Sequence, residues 1–199
     1  MLHCRRLYTL SIFTTLVFII LGGVSVLAEN INGTLALENG RVVLVDDNTQ
    51  KIYPIKSMTL ETQSILEKLN TGDFITGSGS TINNEIVLDT IDFVGFKKLI
   101  GYWESGRNSL YFQSFSKVFA TLPYEIIAQD TGTLSYSIAP GENNSWKIFF
   151  ATLSKVVMAN LEFGESSITL KFFNQTESLI NTMVFTKNAN PPADIHVTE

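Results

Sequence analysis

The sequence predicts an all-β protein with one short helix, folded as two abutting, small antiparallel β-barrels. Apolar and polar residues alternate in short segments, as where Leu134, Tyr136 and Ile138 alternate with serine and threonine. Turn residues separate these segments at short intervals. Only residues 59–70 show the period of a helix. With 199 residues, 45% of them hydrophobic, the chain is long enough to bury a sizeable core.

The chain begins with the pattern of a secretory leader. A short basic start is followed by an uncharged apolar stretch, residues 7–27, and then by Ala28. This pattern predicts a signal peptide, residues 1–28, cut between Ala28 and Glu29. We therefore expect a secreted or periplasmic protein that meets a membrane only during export. The alternative is an uncleaved leader that anchors the protein, because about 20 apolar residues can span a bilayer.

The composition excludes several kinds of chemistry. The single cysteine, Cys4, lies in the leader, and His196 is the only histidine after it. These counts exclude a disulfide scaffold, a Cys/His zinc site, a cysteine nucleophile and a Ser-His-Asp triad in the body of the protein. The 19 acidic residues outnumber the 14 basic ones, which argues against nucleic-acid binding. We expect no cofactor and no enzymatic activity.

The first half of the mature chain, residues 29–95, predicts five strands and a helix. Asn39 and Gly40 form a hairpin signal, because a type I′ turn needs positive φ at both centres. Pro54 predicts an edge position for its strand. Thr59 is a suitable N-cap for a helix that ends near residue 70. The predicted strands are Gly33–Glu38, Arg41–Val45, Lys51–Lys56, Asp73–Thr81 and Glu85–Phe93.

The order of these elements, three strands, a helix and two strands, resembles that of the OB-fold. The resemblance covers residues 31–95 and rests on element order alone. It implies a five-stranded Greek-key barrel with its helix after the third strand.

The second half, residues 96–188, predicts a strand meander. A largely apolar junction, residues 93–100, joins it to the first half and has room for one helical turn, so we expect a buried, rigid interface. Closing the meander into a barrel would remove exposed edges. The predicted strands are Gly101–Glu104, Ser109–Phe115, Lys117–Thr121, Thr133–Ala139, Trp146–Leu153, Val156–Phe163, Ser167–Phe173 and Leu179–Lys187. Residues 189–199, which include two prolines, are expected to be a disordered tail.

Gly101, Tyr102 and Trp103 form a Gly-x-Trp motif after a short turn, and Lys187 ends the last predicted strand. The motif is similar to that at the start of the first strand in lipocalins and fatty-acid-binding proteins. The resemblance covers roughly residues 96–187. It implies that Trp103 closes the floor of the barrel beneath a basic residue, here Lys187. The segment is shorter than the barrels of those families, so any internal cup is expected to be shallow.

Aromatic residues give the best indication of a binding site. If the meander closes with apolar residues inward, Tyr136, Trp146, Phe150 and Phe172 come together. They then either line a pocket for a small apolar ligand or fill the core, as side chains do in small eight-stranded barrels.

No carboxylate pair or phosphate loop is convincing. Asp89 and Asp92 have an odd spacing that places them on opposite faces unless a bulge intervenes, and Glu162 and Glu165 straddle a turn. The glycines within residues 72–80 lack the ending of a phosphate loop, and in a barrel strand they favour a bulge.

These observations predict an exported, non-enzymatic binding or interaction protein with a protein or envelope partner. A carrier of a small apolar ligand in the second barrel is the first alternative. A hydrolase that works without histidine is the second.

Overall fold

The computed structural model describes residues 28–127, 131–142, 145–152, 154–174 and 176–189. The predicted leader, except Ala28, and the predicted tail, except Ala189, lie outside these residues. Within the described ranges strands dominate and helices are few and short. None of the helices there has the length and apolar character needed to cross a membrane.

Five strands close into the first barrel, in the order β1-β2-β3-β5-β4. Their neighbours are antiparallel except for β3 and β5, which run parallel. The prediction of an antiparallel barrel is therefore wrong at this one seam. Parallel strands need a crossover connection, and here the helix α1 and strand β4 together form it. The elements are β1 (Glu29–Glu38), β2 (Arg41–Asp46), β3 (Ile52–Ser57), α1 (Leu60–Leu66), β4 (Phe74–Ile82) and β5 (Glu85–Gly95).

Two local predictions for this barrel need correction. Strand β3 is not an edge strand, because its ladder with β5 begins at Ile55, just after Pro54. Helix α1 starts after its predicted cap, where the Thr59 side chain accepts a hydrogen bond from the Thr62 N–H at 3.1 Å. It ends at Leu66 rather than near residue 70, because the next turn has the tighter hydrogen bonding of a 3₁₀ turn. There the Leu69 N–H donates to the Leu66 carbonyl, three residues before it.

The glycines of β4 permit two bulges, as the sequence predicts. The register against β5 shifts at Gly77 and Gly79, leaving Asp92 and Asp89 as the extra residues. A Cβ at Gly77 would collide with the carbonyl oxygen of Thr90, so only glycine allows this approach. The bulges also place both aspartates on the exposed surface.

Eight strands close into the second barrel, and every neighbouring pair is antiparallel. Each strand pairs with the next along the chain, and β13 returns to β6, which confirms the predicted meander. The bounds are β6 (Gly101–Ser105), β7 (Asn108–Phe112), β8 (Lys117–Thr121), β9 (Thr131–Pro140), β10 (Trp146–Ala151), β11 (Val156–Phe163), β12 (Ser167–Phe173) and β13 (Leu179–Asn188).

A one-turn helix between β8 and β9, α2 (Tyr124–Ile127), is absent from the sequence prediction. Four residues are too few to show a helical period. Its Ile126 and Ile127 side chains are buried and join the core of the molecule.

The junction between the barrels contains the predicted helical turn, a 3₁₀ helix over Lys97–Leu99. The buried carboxylate of Asp73 accepts hydrogen bonds from the backbone N–H groups of Lys97 and Asn70, each at 2.8 Å. One side chain thus links the end of the α1 segment to the start of the second barrel. Aromatic rings also cross the junction, with Phe74 stacked on Phe115 at 5.7 Å.

Candidate functional site

The four predicted pocket residues all point into the second barrel and are all buried. Tyr136 lies directly opposite Phe150 in the ladder, and the ring centres of Phe150 and Phe172 are 6.1 Å apart. Trp146 lies nearer the junction, where its ring meets Phe96 edge-on at 4.8 Å. The structure therefore brings three of the four together and places the fourth at the end that faces the first barrel.

Side chains fill the space around these residues. Twelve inward-facing residues are fully buried, with relative exposures of 0%. Eight-stranded barrels of this size are commonly filled in the same way. The twelve are Leu110, Phe112, Val118, Ala120, Ile138, Ile148, Phe150, Ala159, Ile168, Leu170, Phe172 and Phe185.

The polar group of Tyr136 is already used within the barrel wall. Its hydroxyl donates to the carbonyl oxygen of Ser114 at 2.7 Å, and its ring meets Phe112 edge-on at 4.9 Å. Burial raises the pKa of this phenol well above its usual range. The hydroxyl therefore stays protonated and donates to the backbone rather than to a ligand.

The three residues of the predicted barrel floor lie together. Lys187 pairs with Trp103 in the ladder, and its Nζ lies 5.1 Å from the centre of the indole ring. Trp103 donates its Nε1–H to the carbonyl oxygen of Leu99 at 2.7 Å, and Lys187 donates to that of Lys98 at 2.8 Å. Gly101 has φ of 122°, and a Cβ there would lie 3.3 Å from Cε of Lys187.

Lys98 is a junction residue that the sequence analysis missed. Its Nζ lies 3.5 Å from the centre of the Phe163 ring and 5.6 Å from that of Phe96. Burial lowers its pKa, and the charge of Asp73 acts in the opposite direction. The ammonium group thus covers two aromatic rings where the barrels meet, which is a stabilising arrangement.

The sequence analysis also missed an open groove on the outside of the first barrel. Its main hollow lies near the β1–β2 turn and has a volume of about 700 Å³. An ion pair spans one side, with Lys56 Nζ 2.7 Å from Glu85 Oε2. The lining residues are Glu38, Asn39, Arg41, Val42, Val43, Pro54, Ile55, Lys56 and Glu85.

The groove continues towards helix α1 through a second hollow of about 430 Å³. The two hollows share Val42, Ile55 and Lys56, and the second adds Gln63, Leu66 and Glu67 of the α1 region. Val42 is 48% exposed, whereas Val43 and Leu44, which follow it on β2, are buried. The groove therefore has an apolar floor and a rim that carries both signs of charge.

The candidate carboxylates all lie on the exposed surface. Asp89 and Asp92 are exposed at separate bulges, and Glu162 is held by Lys171 in an ion pair of 2.6 Å. Among the described residues, no group of three or more His, Cys, Asp or Glu side chains is placed to hold a metal ion.

In comparisons with protein-family models, curated proteins and solved structures, nothing matches this chain significantly. The features of the molecule that bear on its function are therefore the groove, the barrel floor and the filled interior.

Proposed function

We propose that this chain is an exported, non-enzymatic interaction protein that binds a polypeptide partner in the groove on its first barrel. The observation that carries the proposal is the apolar floor of Val42 and Ile55 inside a rim of mixed charge. Protein–protein interfaces have this anatomy, with an apolar centre and a polar, solvent-accessible rim.

The chemistry of the rim favours a polypeptide over a nucleic acid. Arg41 and Lys56 are offset by Glu38, Glu67 and Glu85, so the groove offers no net positive charge for phosphates. Its lining, which lies wholly within the described residues, includes no aromatic ring on which a base could stack.

A resemblance of the first barrel to the OB-fold also supports binding in this groove. Its strand order, 1-2-3-5-4 with α1 between the third and fourth strands, agrees with the element order of that fold. OB-folds bind their ligands on the face of strands 2 and 3, between the loops that join strands 1–2 and 4–5. The groove lies on β2 and β3 in the same way. It is lined by Asn39 of the β1–β2 turn at one end and by Glu85, the first residue after the β4–β5 turn, at the other.

A lipocalin-like identity for the second barrel is supported by Trp103 beneath Lys187 and by the closed eight-stranded meander. The filled interior speaks against a carrier of a small apolar ligand, because the rings of Phe150 and Phe172 already occupy that space. No observation among the described residues favours the histidine-independent hydrolase.

A photo-crosslinking experiment tests the groove. A photoreactive amino acid replaces Val42 in the exported protein, and a matched variant carries it at Val156, which is 62% exposed on the second barrel and outside the groove. We expect a discrete protein adduct from position 42 only, and a weaker one when Arg41→Glu is added. The proposal fails if position 42 gives no adduct or if both positions give the same one.

We also propose that residues 1–28 are removed on export to a secreted or periplasmic location. Glu29 is the first residue of β1, where it pairs with Gly79, so cleavage after Ala28 would leave the strand whole. N-terminal sequencing of the exported protein should begin at or near Glu29. An intact Met1 in a membrane fraction would instead support the anchored alternative.

A further inference from the structure

A hollow on the outside of the second barrel is lined mainly by polar side chains. Its volume of about 410 Å³ falls within the range of about 300–1,000 Å³ that is usual for small-molecule sites. The outer faces of β10, β11 and β12 form its floor, and the turns before β10 and after β12 bound its two ends. The lining residues that bear on its chemistry are Glu142, Lys147, Met158, Asn160, Phe173 and Glu177.

The apolar part of the floor consists of one aromatic ring and one thioether. Met158 and Phe173 are partners in the β11–β12 ladder. They point outward, because their neighbours Val157 and Phe172 are buried in the core and successive residues of a strand face opposite sides. Both outward side chains are only half-buried. The ring of Phe173 therefore offers an apolar surface to a ligand outside the barrel.

Hydrogen-bonding groups of both kinds surround this apolar floor. Lys147 and Asn160 are partners in the β10–β11 ladder, and both are half-buried. Among the residues that the structure describes, neither side chain has a hydrogen-bond or ion-pair partner. Glu142 and Glu177 add a carboxylate at each end of the hollow. An ammonium group donates, a carboxylate accepts and an amide does both, so the hollow suits a ligand that donates and accepts around its rim.

We propose that this hollow binds a short, uncharged oligosaccharide, with one sugar ring stacked on Phe173. A pyranose ring has a face of C–H groups and a rim of hydroxyl groups, each of which both donates and accepts. The C–H face matches the apolar surface of Phe173 and Met158. The hydroxyl groups match the amide of Asn160, the ammonium group of Lys147 and the carboxylates at the two ends.

The site has room for more than one sugar unit. Phe173 also lines a neighbouring hollow of about 410 Å³, which lies between α2 and the β12–β13 turn. This neighbouring hollow adds the side chains of Glu125, Lys155 and Thr176. Because Phe173 belongs to both hollows, a chain stacked on its ring can extend to either side. We therefore expect an oligosaccharide to bind more tightly than the corresponding monosaccharide.

Other classes of ligand fit this lining less well. The two hollows together hold three glutamates and two lysines, so they offer no net positive charge for a phosphate or a nucleic acid. A lipid or another apolar ligand would cover the ammonium group of Lys147 and the amide of Asn160 without providing hydrogen-bond partners, which costs free energy. An uncharged sugar avoids both penalties.

Calorimetric titration of the exported protein with soluble sugars tests the proposal. The probes are cellotetraose, maltotetraose, mannotetraose and chitotetraose, each compared with its own monosaccharide. At least one tetrasaccharide should bind, more tightly than its monosaccharide and with an affinity that does not change with salt concentration, because the ligand carries no charge. Phe173→Ala should weaken this binding about tenfold or more, because it removes the stacking surface.

Phe149→Ala is the matched control for the loss of an outward ring. Phe149 is half-buried on the outer face of β10 but lines neither hollow, so its removal should leave sugar binding unchanged. Asn160→Ala, which leaves the aromatic ring in place, should also weaken binding, and thermal unfolding shows whether each variant is folded. The proposal is overturned if no tetrasaccharide binds at millimolar concentration, or if the Phe173 and Phe149 variants bind equally well.

Discussion

The two barrels are filled by different kinds of side chain. The buried hydrophobic residues on the strands of the first barrel are all aliphatic. The strands of the second barrel also bury eight aromatic side chains, Tyr102, Trp103, Phe112, Tyr136, Trp146, Phe150, Phe172 and Phe185. Barrel diameter grows with strand number, so eight strands enclose more space than five. The aromatic excess of the second half is thus explained by the volume that its barrel must fill.

The largest expected effect comes from emptying part of that volume. Phe150→Ala should lower the free energy of unfolding by about 3–5 kcal/mol, because the barrel wall cannot collapse onto the vacated space. The cavity should then accept a small apolar molecule such as benzene, which the unaltered protein should not bind. Chemical denaturation and a ligand-induced thermal shift measure the two effects.

Phe149→Ala is the matched control for this substitution. Phe149 is the preceding residue of the same strand and is only half-buried, so its loss should cost much less and should create no binding cavity. If the unaltered protein binds apolar ligands with quenching of Trp146 fluorescence, the interior is not full and the carrier function returns.

Trp103→Ala should cost a similar amount, about 3–5 kcal/mol, if the floor is as important as the wall. Trp103→Phe should cost less, since it keeps most of the buried ring and loses chiefly the hydrogen bond to Leu99. Urea denaturation of both variants gives the comparison. A loss below about 1 kcal/mol for the alanine variant would show that the Gly-x-Trp resemblance has no structural meaning.

The first barrel should be sensitive to added volume instead. Gly77→Ala should destabilise the protein by about 1–3 kcal/mol, because its Cβ meets the carbonyl oxygen of Thr90 across the bulge. Ser80→Ala, on the same strand, is the control and should have little effect. Equal stability of the two variants would mean that the bulge can relax without cost.

The smallest expected effect is a pH dependence from Tyr136. Its folded-state pKa is raised by burial, so the unfolded chain loses this proton first as the pH rises above about 10, the usual tyrosine value. The stability that depends on the neutral phenol is full below that pH and falls above it, by up to about 1.4 kcal/mol per pH unit. Tyr136→Phe should remove this slope in denaturation experiments between pH 9 and 11. An unchanged slope would place the pH dependence elsewhere.

Short-range pattern predicts the elements of this fold well. The alternation of Trp146, Ile148 and Phe150 is enough to place a strand and its buried face, and Asn39 with Gly40 is enough to place a hairpin. The groove could not be predicted in this way. It depends on the parallel pairing that sets Ile55 beside Ile86, far along the chain, and no local periodicity encodes that contact. The same is true of the Asp73 carboxylate, whose partner Lys97 is 24 positions away.

The short seam between β6 and β13 has a consequence for the order in which the protein is made. The first barrel has all its strands once residue 95 has emerged, but the second cannot close until β13 follows. Asn188 and Glu104, which share a hydrogen bond across the seam, are 84 positions apart. Contacts so distant in the chain form slowly, because the entropy of loop closure opposes them until the final ladder is made. During that interval β6 and β12 both present unpaired edges, so a nascent or truncated chain that lacks β13 should be the species most prone to aggregate.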